Sequence, residues 1–137
     1  MASYRAQFVC TLCLVISSCI FASGCGMFAT TDGTIQQVVE AGNSRRSEMV
    51  TPEGKFSDYQ VYRQPDSNSV VFEHKMKPGL KIDKAVANSP QFKADLVTGL
   101  NTAESKSVLS SGIAFEFLYI DASGNDICRH SVTQEDF

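Results

Sequence analysis

The sequence has few of the residues and none of the motifs on which common enzyme chemistry depends. Its 137 residues include only two histidines, His74 and His130. It contains no Gly-rich phosphate loop, no Gly-x-Ser-x-Gly elbow and no His-Glu-x-x-His pair. These motifs are the usual sequence signatures of nucleotide binding, serine hydrolysis and zinc proteolysis. The sequence therefore favours a function without catalysis.

An excess of positive charge is absent too. The chain has 12 Lys and Arg against 15 Asp and Glu, which gives a formal net charge of −3. Proteins that bind nucleic acid irrespective of sequence normally carry a basic excess, so we expect no nucleic-acid partner. The 43% of hydrophobic residues is too high for a disordered chain, and the length suits one domain.

Cysteine is almost missing beyond residue 25, where Cys128 is the only one. The other four cysteines lie in or next to an uncharged run, residues 8–22 (FVCTLCLVISSCIFA), which follows the single cation Arg5. The small residues Ser23 and Gly24 come next. A basic start, a short apolar run and small residues are typical of an export signal, and a membrane span needs about 20 apolar residues. We therefore predict a signal peptide over residues 1–24.

Residues 21–25 (FASGC) resemble the lipobox of bacterial lipoproteins. The resemblance implies that the thiol of Cys25 carries diacylglycerol, that the signal is cut before it and that the new amine is acylated. Residues 16–19 (ISSC) match the family pattern more closely, but cleavage before Cys19 would leave an apolar start. Gly26 stands where Asp would signal inner-membrane retention, so the outer membrane is favoured if the envelope is Gram-negative.

The processing route decides the chemistry of Cys128. If Cys25 carries lipid, Cys128 has no partner in the mature chain and is expected to be a small buried hydrophobic residue. If an ordinary signal peptidase cuts before Cys25, a Cys25–Cys128 disulfide becomes possible in an oxidising compartment. Both alternatives are open from the sequence.

The remaining chain is predicted to form a tether over residues 25–33 and a single α+β domain over residues 34–137. The apolar spacing predicts a helix over 34–41 that ends at Gly42, and then a loop over 43–55. Alternation predicts strands over 57–64, 70–76, 113–121 and 127–132. A short helix is expected within 80–88, and Ser89-Pro90 begins a longer helix that continues past Gly99 to Ser110.

These elements predict a four-stranded antiparallel sheet of two hairpins with helices packed on one face. Residues 62–74 and 119–130 both begin with Tyr, cross an Asp/Ser/Asn turn and end in His, which indicates a possible αββ duplication. The layout resembles small uncharacterised αββ-repeat lipoproteins. The other sheet face is expected to be free, with an exposed apolar patch that includes Leu118 and Ile120.

His74, Cys128 and His130 are the only candidates for site chemistry, because the two alternating strands bring them to one side of the sheet. Two His and one Cys can bind zinc, and a Cys–His pair can act as a nucleophile. The spacing is specific for neither, so the preferred interpretation is two strand histidines and a core cysteine, with no catalytic residue, metal or cofactor.

The sequence thus predicts a lipid-anchored envelope lipoprotein with a non-catalytic binding or structural role, whose partner is an envelope protein or peptide. A secreted enzyme or metal-binding protein that uses these three residues is the alternative.

Overall fold

A computed structural model describes residues 30–137 of the chain. The predictions that concern residues 1–29, namely the signal peptide, the lipid on Cys25 and most of the tether, lie outside the described residues. Within the described part, no helix is both long enough and apolar enough to cross a membrane.

The described chain forms an α+β domain, as predicted. Its elements are α1 (Thr31–Ser44), α2 (Arg46–Met49), β1 (Phe56–Arg63), β2 (Ser69–Met76), α3 (Lys84–Ala87), α4 (Pro90–Gly99), α5 (Ala103–Ser110), β3 (Ala114–Ile120), β4 (Asp126–Val132) and a final 3₁₀ turn (Gln134–Asp136). The four strands form one open sheet in the order β1-β2-β3-β4.

The sheet is mixed rather than wholly antiparallel, which corrects the predicted arrangement. β1 with β2 and β3 with β4 form the two expected hairpins, but β2 and β3 run parallel, from the pair Ser69–Ala114 to the pair Lys75–Ile120. The segment between β2 and β3 holds three helices, α3, α4 and α5. A parallel pair needs such a crossover, because the chain must return to the end of the sheet at which β2 began.

The first helix is longer than predicted at both ends. The side chain of Thr30 accepts a hydrogen bond from the backbone N–H of Gly33, so α1 starts inside the predicted tether. Gly42 was predicted to end this helix, but it lies buried in its interior. A Cβ at this position would lie 2.6 Å from Cγ2 of Val61, so glycine allows α1 to approach β1 closely. The predicted loop over 43–55 contains the short helix α2.

The side chain of Asn43 attaches α1 to the edge strand β1. The carboxamide of Asn43 donates to the carbonyl of Val61 (2.7 Å) and accepts from the backbone N–H of Val61 (2.8 Å). Arg46 and Asp58 form an exposed ion pair between α2 and β1. The close contact at Gly42 and the two hydrogen bonds at Asn43 together fix the helix against the strand.

The segment that was predicted to form one helix continuing past Gly99 forms two helices, α4 and α5. Ser89 caps α4 and Pro90 occupies its first turn, as predicted. The helix nevertheless ends at Gly99, and Thr102 caps α5 by accepting from the backbone N–H of Ser105 (3.2 Å). A cap-forming threonine competes with a continuous helix, and Gly99 weakens the continuous helix further.

The helices pack on one face of the sheet and enclose the hydrophobic core. Its largest fully buried side chains are Tyr59, Phe72, Phe115, Phe117, Ile35, Leu96, Leu100, Leu109 and Ile113. His74 and His130 also face this core.

The two hairpins do not match residue for residue. Tyr59 lies opposite His74, and Phe117 lies opposite His130. Tyr62 pairs with Val71 on the other side of the sheet, whereas Tyr119 is buried in the core. The similar segments 62–74 and 119–130 therefore do not place their first tyrosines at equivalent positions in the sheet. An internal duplication stays a prediction.

Candidate functional site

An apolar cleft of about 430 Å³ lies at the end of the sheet where β2 ends and β4 begins. Strand residues form one side of it: Met76, Tyr119, Ile127 and Cys128. Small-molecule sites usually have volumes of roughly 300–1,000 Å³ and mostly apolar walls. The volume and the mostly apolar lining of the cleft fall within this range.

The opposite wall comes from residues 80–87, which include the four-residue helix α3. The carboxylate of Asp83 caps this helix by accepting from the backbone N–H groups of Ala85 (2.9 Å) and Val86 (3.3 Å). Leu80 is 44% exposed and Val86 is 36% exposed, and both line the cleft. Hydrophobic surface at the mouth of the cleft is therefore in contact with solvent.

Two polar contacts hold α3 against β4. Nε2 of His130 lies 2.6 Å from the carbonyl oxygen of Ala87, and because a carbonyl only accepts, Nε2 carries the proton and donates. The carboxamide of Asn88 donates to the carbonyl of Ile127 (3.0 Å). Phe92, which also lines the cleft, stacks on the His130 ring at 5.2 Å. His130 therefore holds the wall of the cleft in place.

The charged residues of the cleft are Lys55, Lys81 and Asp83. Asp83 is occupied at the start of α3 by the two hydrogen bonds just described. Lys81 is exposed, and in the described part of the chain it forms no ion pair. Within residues 30–137, Lys81 thus places an ammonium group without an ion pair beside the apolar mouth.

Cys128 lines the cleft but is not activated. Its side chain is buried, it forms no disulfide with another residue of the described part of the chain, and burial raises the pKa of its thiol to about 11. Because the thiolate is the nucleophilic form, a thiol with such a pKa is a poor nucleophile at neutral pH. This residue has the character of a core cysteine.

His74 is fully buried among aromatic rings. Its ring stacks on Tyr119 at 4.6 Å, and Phe56 and Tyr59 lie 5.0 and 5.1 Å away. Burial lowers the pKa of His74 from 6.5 to about 4. Its two ring nitrogens form no hydrogen bond within the described structure. Such a residue is neutral and inaccessible to a substrate.

The three residues singled out by the sequence share one face of the sheet but do not form one site. Tyr119 stands between His74 and Cys128 in the strand register, and His130 lies opposite Phe117. Among residues 30–137, no three His, Cys, Asp or Glu side chains are close enough together to bind a metal ion. The zinc and nucleophile alternatives therefore gain no support from the geometry.

Among the described residues, the face of the sheet away from the core does not form the exposed apolar patch that was predicted around Leu118. Leu118 is only 4% exposed, Val71 is fully buried, and Ile120 is half-buried. Polar pairs occupy the neighbouring positions: Glu73 accepts from Gln60 and Tyr62, and Arg129 pairs with Glu116 at 2.8 Å. This face offers a charged and hydrogen-bonded surface to solvent.

One indication of the cleft is present in the sequence. The segment 80–88 holds three large apolar residues, Leu80, Ile82 and Val86, beside two lysines and an aspartate, and a helix of four residues cannot bury all three. Their partners on β3 and β4 depend on the parallel β2–β3 pairing, which the sequence pattern does not predict.

We compared the chain with protein-family models, with curated proteins and with solved structures, and none of them matches it.

Proposed function

We propose that this protein is an exported lipoprotein, anchored to a bacterial membrane through Cys25, whose α+β domain has a non-catalytic binding role. The observation that carries the binding role is the apolar cleft of about 430 Å³ with its solvent-exposed mouth at Leu80 and Val86. The anchor is supported by the uncharged run 8–22 and the lipobox-like residues 21–25.

A binding role agrees with the state of the candidate reactive groups. The thiol of Cys128 has a raised pKa, His74 is neutral and enclosed, and His130 is occupied by the carbonyl of Ala87. An activated nucleophile needs a base within hydrogen-bond reach and an accessible position, and none of these three residues offers both.

A lipid anchor would keep the domain at the membrane surface. Each buried methylene contributes about 0.8 kcal/mol, and one chain binds only marginally whereas two or three chains bind firmly. Gly26 after the proposed lipid site favours the outer membrane if the envelope is Gram-negative. The cleft would then meet molecules of the envelope.

The anchor is tested by intact mass and membrane partition of the full chain expressed in a bacterium. We expect the wild type to carry acyl chains and to sediment with membranes. Cys25→Ser should release it, and Cys19→Ser should leave it bound. A soluble, unacylated wild type, or release by Cys19→Ser alone, contradicts the assignment of Cys25.

The binding role is tested separately with Nile red, a neutral dye that fluoresces in apolar surroundings. Val86→Glu places a charge at the mouth of the cleft and should remove most of the cleft-dependent fluorescence. Phe137→Glu is the matched control, because Phe137 is 44% exposed and does not line the cleft. Equal fluorescence from both variants and the wild type would mean that the cleft binds no apolar molecule.

A further inference from the structure

We infer that the cleft binds a single-chain amphiphile with an anionic head group, such as a long-chain fatty acid, with the alkyl chain inside and the head at Lys81. This inference rests on the proposed binding role of the cleft. It does not depend on the lipid anchor at Cys25.

The side chains of the cleft suit an alkyl chain. Nine of the twelve lining residues are hydrophobic, and the other three are the charged residues Lys55, Lys81 and Asp83. The buried thiol of Cys128 stays protonated, so it offers only weak hydrogen bonds. A ligand buried here must therefore bring few polar groups with it.

A peptide meets this requirement less well than an alkyl chain. Each peptide unit carries an N–H and a C=O group, and leaving either group buried without a partner is costly. Asp83 already accepts two backbone hydrogen bonds from α3, so its carboxylate is engaged. An alkyl chain needs no such partners, and its one polar group can stay at the mouth.

The charge at the mouth favours an anion. Lys81 lies between Leu80 and Ile82, which both line the cleft, and it is not neutralised by an ion pair in the described part of the chain. With Lys55 and Asp83 included, the lining carries two cations and one carboxylate, so its formal charge is positive. A carboxylate or phosphate head at this position would gain Coulomb energy that a neutral or cationic head would not.

The chain length of the ligand should matter in a defined way. Each methylene that leaves water for an apolar site strengthens binding about fourfold at 25 °C. Affinity should therefore rise by this factor per methylene along a series of saturated fatty acids, and then level off once the cleft is full.

We would test the inference by photo-crosslinking on the full chain in phosphatidylcholine nanodiscs. The probes are palmitic acid and the corresponding fatty alcohol, each with a diazirine in the chain, and the labelled peptides are identified by mass spectrometry. The acid should label peptides that contain Met76, Val86 and Ile127, and excess unlabelled palmitate should abolish this label.

Two pairs of variants separate the parts of the inference. Val86→Glu should reduce cleft labelling about tenfold, which corresponds to about 1.4 kcal/mol, whereas Phe137→Glu should not change it. Lys81→Glu should reduce labelling by the acid several-fold and leave labelling by the alcohol unchanged. Lys106→Glu is the matched control, since Lys106 is exposed and lies over Phe137, away from the cleft.

Each of the following results contradicts one part of the inference. Equal labelling of the cleft by acid and alcohol refutes recognition of the anionic head. If an apolar tetrapeptide displaces the label and palmitate does not, the ligand is a peptide. If the acid does not label the cleft but Nile red still binds, the ligand class is refuted and the binding role is not. If the protein is soluble and unacylated but labels normally, only the anchor is refuted.

Discussion

His74 makes the stability of this domain depend on pH in a range where most carboxylates do not titrate. In the folded protein, burial lowers its pKa to about 4, against 6.5 for an unperturbed histidine. The unfolded chain therefore binds a proton on this residue more readily than the folded chain. Because stability rises with pH wherever the unfolded state holds more protons, the contribution of His74 is fully present above pH 6.5 and is lost as the pH falls towards 4.

The size of the loss follows from the two pKa values. Between about pH 7.5 and about pH 5, the free energy of unfolding should fall by about 2 kcal/mol on account of this one residue. Two carboxylates with lowered pKa values contribute little in this pH range, because both titrate below 3.8. The hydrogen bond with Arg46 lowers the pKa of Asp58, and the backbone N–H of Asn125 lowers the pKa of Asp121.

The assay is urea denaturation followed by circular dichroism, on the wild type and on His74→Phe. Phenylalanine keeps an aromatic ring among Phe56, Tyr59 and Tyr119 and removes the titrating group. His74→Leu provides the same comparison if the larger ring distorts the core. All other titrating groups are common to the proteins, so the difference in pH dependence isolates His74. If wild type and variants lose equal stability between about pH 7.5 and about pH 5, the reasoning from burial is wrong.

Two further outcomes follow from the packing. Gly42→Ala should lower the free energy of unfolding by about 1–3 kcal/mol in denaturant titrations, although alanine favours a helix, because its methyl group would clash with Val61. The loss should shrink when Val61→Ala is added, and additive effects at 42 and 61 would contradict the close approach. The Cys128 thiol, with its pKa raised from 9.0 to about 11, should react with iodoacetamide about 100-fold more slowly at pH 8 in the folded than in the unfolded protein, as measured by mass spectrometry of its peptide. Equal rates would show an activated or exposed thiol.

The strands were predictable because their side-chain alternation is strong and local. Val70, Phe72, His74 and Met76 alternate with more polar residues, and the turns at 65–68 and 121–125 carry the residue types that reverse a chain. The α+β class and both hairpins follow directly from this pattern. The start of α4 at Ser89-Pro90 was equally predictable from the sequence, since both residues act within one turn of the helix.

The features that the sequence did not predict depend on contacts between distant segments. The direction of β3 relative to β2 is decided by how the intervening helices cross the sheet, and alternation is the same in either direction. Gly42 resembles a helix end in sequence, and only the neighbouring Val61 shows that it is a packing position. The cleft was missed for the same reason, because residues 80–87 meet β4 only in the folded domain.

The carboxamide of Asn43 has a consequence for how this protein behaves at high local concentration. A strand at the edge of a sheet exposes backbone groups that can recruit another strand, and this is a common route to aggregation. At the middle of β1, Asn43 already occupies both backbone groups of Val61 as a neighbouring strand would. Copies at high local concentration would thus be hindered from joining their sheets through this edge.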